Sequence, residues 1–87
     1  MFDTQQIKLI DRKYFNVFTE SEYDIALQSR CTGHCWCLHC VDDGSCIIFH
    51  KHKKDEQYHR HGYGPTLRQA LRMIKDHDAW QQNGRRA

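Results

Sequence analysis

The fold is decided by the stretch Cys35-Trp36-Cys37-Leu38-His39-Cys40-Val41-Asp42-Asp43-Gly44-Ser45-Cys46-Ile47-Ile48-Phe49-His50-Lys51-His52. Asp43-Gly44 lies between two runs rich in β-branched and aromatic residues. This pattern predicts a β-hairpin with a type I′ turn, because both central positions of that turn require positive φ. A two-residue turn at Asp43-Gly44 would pair Val41 with Cys46, and the same register continues to Cys35 opposite His52.

This register assigns every side chain of the hairpin to a face, because side chains alternate along a strand. One face is apolar and is the predicted core face: Trp36, Leu38, Cys40, Ile47 and Phe49. The other face becomes rich in thiols and imidazoles away from the turn: Cys35, Cys37, His39, Val41, Cys46, Ile48, His50 and His52. A slip of one residue would exchange the faces of one strand relative to the other, so the interpretation depends on the turn.

The flanking sequence adds strands before the hairpin and a helix after it. Residues 14–18 are aromatic and β-branched, residues 23–28 alternate cleanly, and residues 58–61 are either a short further strand or an extended segment. Thr66 with Gln69 fits a capping box, and a stripe at i, i+3, i+4 and i+7 predicts a helix over residues 66–82, with Gly84 as its terminator. The stripe comprises Leu67, Ala70, Leu71 and Ile74, beside a second one of Met73, His77 and Trp80. The predicted fold is α+β: a small antiparallel β-meander of three to four strands with one C-terminal helix packed on one face.

Length and composition favour one small domain over residues 1–87, with flexible tails at residues 1–6 and 85–87. No apolar run approaches the length of a membrane span, and the first residues lack the pattern of a signal peptide. We therefore expect a soluble, cytoplasmic protein. Its five cysteines are then expected to be free thiols or metal ligands rather than a disulfide framework.

Charge is distributed unevenly along the chain. Residues 1–50 carry a net charge of −3, whereas residues 51–87 carry +5 and contain four of the seven histidines. Such a surface suits a nucleic acid or a nucleoprotein complex, in which Arg and Lys contact phosphates while His and Tyr stack or form hydrogen bonds. The candidate binding residues are His50, Lys51, His52, Lys53, Lys54, His59, Arg60, His61, Tyr63, Arg68, Arg72 and Lys75. The alternative interpretation is an ordinary solvated face.

Three arrangements of Cys and His could bind zinc. The first uses Cys35, Cys37, His50 and His52, which the predicted register places together on the open sheet face. In the second, residues 50–52 pair with residues 59–61, and the imidazoles of His50, His52, His59 and His61 form a cluster. The third is a loop-based knuckle of Cys31, Cys35 and Cys40. None has the spacing of a standard zinc finger, so ordinary partly buried thiols are the favoured interpretation.

No catalytic constellation stands out. A Cys37–His50 dyad would give a nucleophilic thiolate, but the sequence contains no phosphate loop, carboxylate pair or hydrolase elbow. We therefore expect no enzymatic activity and carry three hypotheses. The first is a non-enzymatic protein that docks on a nucleic acid or nucleoprotein machine, for example a phage or mobile-element inhibitor of a bacterial nuclease or CRISPR effector. The second is a zinc-binding module, and the third is a thiol-dependent enzyme or redox sensor.

Overall fold

Five antiparallel strands and two helices make up the computed structural model, which describes residues 1–83. The elements are α1 (Thr4–Ile7), β1 (Phe15–Glu20), β2 (Asp24–Ser29), β3 (Cys35–Cys40), β4 (Cys46–Lys51), β5 (His59–Gly64) and α2 (Leu67–Gln82). The strands follow one another in the sheet in chain order, β1-β2-β3-β4-β5. The predicted α+β class and meander are confirmed, but the sheet has five strands rather than three to four. Within the described residues, no helix is long and apolar enough to cross a membrane.

The turn of the central hairpin is one residue longer than predicted. Cys40 pairs with Cys46 and Trp36 with His50, so residues 42–44 together form the connection between the hydrogen-bonded ends of the hairpin. Gly44 has φ of +86°, and its amide donates to the carbonyl of Val41 at 2.9 Å. A three-residue loop of this kind places glycine at its left-handed position. Asp-Gly suits this loop as well as a two-residue turn, and the predicted register was therefore wrong by one residue.

This shift changes which side chains of β4 face the core. Trp36, Leu38 and Cys40 of β3 are buried as predicted, but their neighbours on β4 are Cys46, Ile48 and His50. Ile47 and Phe49, which were predicted to be core residues, lie on the opposite side and are only partly buried. We call the side of Trp36 and His50 the helix side of the sheet, and the side of Cys37 and Phe49 the open side.

Helix α2 covers the helix side and approaches β5 most closely at Gly64. Its start matches the prediction, because Thr66 is the N-cap and its side chain accepts a hydrogen bond from the amide of Gln69. A Cβ added at Gly64 would lie 2.9 Å from Cβ of Ala70, so glycine is required for this contact. The predicted stripe is buried in the core: Leu67, Ala70, Leu71 and Ile74. The predicted terminator at Gly84 lies outside the described residues.

The amino-terminal residues, for which a flexible tail is predicted, form a short capped helix and place Phe2 in the core. Asp3 caps α1 in a capping box with Gln6. Phe2 is buried, and its amide donates to the carbonyl of Glu22 at 2.6 Å. The other predicted tail, residues 85–87, lies outside the described part of the chain.

A buried carboxylate fixes the second half of α2. Asp78 accepts hydrogen bonds from the hydroxyl of Tyr14 at 2.6 Å and from the hydroxyl of Thr32 at 3.1 Å. Burial and the bond to this carboxylate raise the pKa of Tyr14 above its ordinary range, so Tyr14 remains a donor. These two bonds position the carboxyl-terminal half of the helix over the ends of β3, β4 and β5.

Candidate metal centre

Six of the seven histidines converge at the second half of α2, which contributes one of them. We call them the imidazole cluster: His34, His50, His52, His59, His61 and His77. They come from four places in the chain: the connection before β3, the end of β4, the start of β5 and the helix. His39, the seventh, is on the open side, where its Nδ1 lies 2.8 Å from a carboxylate oxygen of Asp24.

His50 is the centre of the cluster. It is 2% exposed, and its ring stacks on Trp36 with centroids 4.1 Å apart. The indole Nε1 of Trp36 in turn donates to Ser29 Oγ at 3.1 Å, which fixes the plane on which the imidazole rests. His50 Nε2 lies 3.0 Å from His34 Nδ1, so the tautomers of the two rings decide which nitrogen donates and which accepts.

Burial sets the protonation state of the central ring. Desolvation, followed by the neighbouring imidazoles, lowers the pKa of His50 to about 3. The pKa of His61 is also lowered, again mainly by burial and then by His77 and His59. Because the neutral imidazole is the form that carries a free lone pair, both rings are kept in the form that binds metal ions.

Two residues of β5 reach the cluster, one before a β-bulge and one within it. His59 pairs with His50, and Arg60 pairs with Phe49, but the next pair is Ile48 with Gly62. His61 is therefore the extra residue of the bulge, and its ring contacts Trp36, His50 and His77 on the helix side.

Two sets of three imidazoles lie close enough together to hold a metal ion after a small adjustment. The ligand nitrogens of His34, His50 and His52 lie within 4.8 Å of one another, and the same is true of His50, His59 and His61. Nitrogens bound to one tetrahedral zinc ion are about 3.4 Å apart, given Zn–N bonds of about 2.0–2.1 Å. Small ring rotations would therefore close either set around an ion, and His50 belongs to both.

The structure differs from each predicted Cys/His arrangement. In the first, Cys37 and His50 lie on opposite sides of the sheet, because the register is shifted by one residue; the same fact separates the predicted Cys37–His50 dyad. In the third, Cys35 and Cys40 are at opposite ends of β3 and on opposite sides. The second set of four imidazoles is brought together, although His50 faces His59 rather than His61.

Sequence reasoning missed two members of the cluster. His34 was assigned to a connection and His77 to an apolar stripe, yet their rings lie 5.0 and 5.1 Å from that of His50. His77 is seven residues after Ala70, close to two helical turns, so it projects from nearly the same face of α2. That spacing was the available signal.

The predicted basic surface is divided between the two sides of the sheet. Lys51 and Arg60 are on the open side by register, and Tyr63, opposite Ile47, joins them. The exposed cations of α2 belong to the helix layer: Arg68, Arg72 and Lys75. Lys53 and Lys54 are exposed in the connection between β4 and β5. The twelve candidate residues therefore form no single face.

No family model matches the chain, and no curated protein or solved structure matches it either. The chemistry of the imidazole cluster is consequently interpreted from its own geometry.

Proposed function

We propose that this protein binds a divalent transition-metal ion through its imidazole cluster, with His50 as the shared central ligand. The observation that carries the proposal is the pair of three-imidazole sets, each with its ligand nitrogens within 4.8 Å. Imidazole ligands suit Zn²⁺, Cu²⁺ and Ni²⁺, whereas Mg²⁺ and Ca²⁺ prefer oxygen ligands. The second hypothesis from the sequence, a zinc-binding module, thus keeps its imidazole ligands but loses the thiols of Cys35 and Cys37.

The surroundings of His50 favour tight binding. Its ring is held against Trp36, so little side-chain freedom would be lost when an ion binds. The outer ligands of each set are exposed, since His52 and His59 are on the surface. An ion could therefore enter from solvent and retain a coordination position open to water, as three-ligand zinc sites do.

Titration calorimetry with ZnCl₂ and NiCl₂ on metal-free protein tests the proposal. We expect saturable binding that His50→Gln weakens at least about tenfold, by analogy with the losses that follow perturbation of metal-site residues. His39→Gln removes a histidine outside the cluster and is the matched control; it should leave the affinity unchanged. Equal affinities for these two variants, with both shown by circular dichroism to be folded, would contradict the proposal.

The exposed ligands identify which set is used. His52→Ala removes a ligand from the set with His34, and His59→Ala removes one from the set with His61. Each changes an exposed side chain, so neither should disturb the fold. A loss of affinity in only one variant assigns the ion to the set from which that variant removes a ligand. If neither variant loses affinity, the ion binds to neither set.

A further inference from the structure

A groove on the open side of the sheet contains chemistry that the imidazole cluster does not use. It has a volume of about 290 Å³ and is lined by Phe18, Cys35, Lys51, Lys54 and Tyr58. Cys35 lies at its base and is only 1% exposed. The volume is near the lower limit of small-molecule sites, which suits a single flat ring rather than a larger ligand.

Each aromatic ring of the groove is paired with an ammonium group. Lys51 Nζ lies 4.4 Å from the centroid of Tyr58, and Lys54 Nζ lies 5.3 Å from that of Phe18. Both rings remain accessible, with 38% of Tyr58 and 44% of Phe18 exposed. Lys51 also donates to the carbonyl of Lys54 at 2.9 Å, which holds the two lysines on the same side of the groove.

We infer that the groove binds single-stranded nucleic acid, with a base stacked on Tyr58 or Phe18 and the neighbouring phosphates contacting Lys51 and Lys54. Stacking on aromatic rings beside a cationic groove is how proteins bind single strands with little sequence preference. A duplex would not fit this description, because its bases are already stacked on one another.

Charge complementarity supports an anionic occupant over an apolar protein segment, and the two exposed aromatic rings favour the bases of a nucleic acid over an acidic protein segment. Arg60 and Tyr63 continue the cationic and aromatic surface along the open side of β5. Asp24, an acidic residue on this side, is engaged by His39. Asp55 and Glu56 are exposed in the β4–β5 connection but do not line the groove.

Fluorescence anisotropy with a labelled oligonucleotide of about 12 nucleotides, within the usual site size of a small domain, tests this inference. EDTA in the buffer makes the result independent of the proposed metal site. Tyr58→Leu and Phe18→Leu keep an apolar side chain but remove the stacking surface. We expect the Kd to rise at least about fivefold for the more important of the two rings.

The charge contribution is tested by two double variants with the same change in net charge. Lys51→Gln/Lys54→Gln alters the groove, whereas Lys8→Gln/Lys13→Gln alters exposed lysines that line a separate depression near α1. The groove variant should bind more weakly and show a shallower dependence of log Kd on log salt concentration. The control should bind like the unmodified protein.

Three results would overturn the inference. The first is the absence of binding at about 100 µM protein, the weak limit of non-specific affinity. The second is equal weakening by the two double variants, which would indicate diffuse attraction. The third is concentration-dependent self-association that Tyr58→Leu abolishes without oligonucleotide binding, which would assign the groove to a second copy of the chain.

Discussion

The two sides of the sheet use alternate residues of the same strand for different chemistry. On the helix side, His50 is buried, neutral and stacked on an indole. On the open side, Lys51 is charged and borders an accessible groove. The length of the 42–44 loop sets the side of the sheet on which each of these groups lies. One residue fewer would have placed His50 with the thiols of Cys35 and Cys37.

The largest expected effect is a difference in unfolding free energy between a substitution on the helix side and one on the open side. Trp36→Ala should lower the free energy of unfolding by about 3–5 kcal/mol, because it empties a fully buried site in the core. Phe49→Ala, on the open side of the same hairpin, should cost less than half as much, since that ring is only partly buried. Urea unfolding of both variants checks this difference, and equal losses would contradict the observed register.

Asp78 gives the next largest effect. Asp78→Ala should cost about 2–3 kcal/mol, because the hydroxyls of Tyr14 and Thr32 lose their acceptor in a buried setting. Asp76→Ala, on the exposed surface of the same helix, is the matched control and should change stability by less than about 0.5 kcal/mol. Thermal unfolding measures both. A small loss for Asp78→Ala would mean that this carboxylate does not fix the helix over the imidazole cluster.

Acid should destabilise the helix side selectively. The folded-state pKa of His50 is about 3 against 6.5 in the unfolded chain, so the unfolded chain binds more protons between these values. Stability should therefore be complete above pH 6.5 and fall as the pH decreases, with His50 alone contributing about 2 kcal/mol of loss at pH 5.

Urea unfolding of metal-free protein at pH 7 and pH 5 measures this dependence. His50→Phe keeps a ring against Trp36 but does not titrate, so its stability should differ less between the two pH values. His39→Gln, on the open side, should retain the full difference. If His50→Phe were as acid-sensitive as the unmodified protein, the loss would have to originate elsewhere.

The sequence predicted the elements of the fold better than the positions of its side chains. The capped helix was found because Thr66 and the apolar stripe are local signals. The side of the sheet that each residue of β4 faces was not predicted correctly. Asp-Gly suits two loop lengths, and each loop length gives a hairpin with alternating side chains. An apolar residue at position 49 and a polar one at position 50 favoured the wrong choice. Burial of His50 depends on tertiary contacts, namely Trp36 beneath it and His77 from the helix.

The imidazole cluster, too, was only partly predictable from the sequence. The clustering of residues 50–52 with residues 59–61 was predictable from their proximity in the chain. The contribution of His34 to the cluster was not predictable from the sequence. His34 lies in a connection whose path depends on the pairing of β2 with β3. The bulge at His61 has only an ambiguous local signal, since the neighbouring Gly62 suits a bulge and a regular strand end equally well.

The smallest expected effect is a difference in the alkylation rates of the thiols. It involves no change in stability and compares one cysteine on each side of the sheet with an exposed one. Burial raises the pKa of Cys46 on the helix side to about 11, with a further contribution from Cys40, and burial also raises that of Cys37 on the open side. Since the thiolate is the reactive form, both should be alkylated at least about tenfold more slowly than the exposed Cys31. Iodoacetamide labelling at pH 7.5, followed by peptide mass spectrometry, gives the order. Fast labelling of Cys37 would instead favour the thiol-dependent hypothesis, because burial and the nearby carboxylate of Asp24 both disfavour its thiolate.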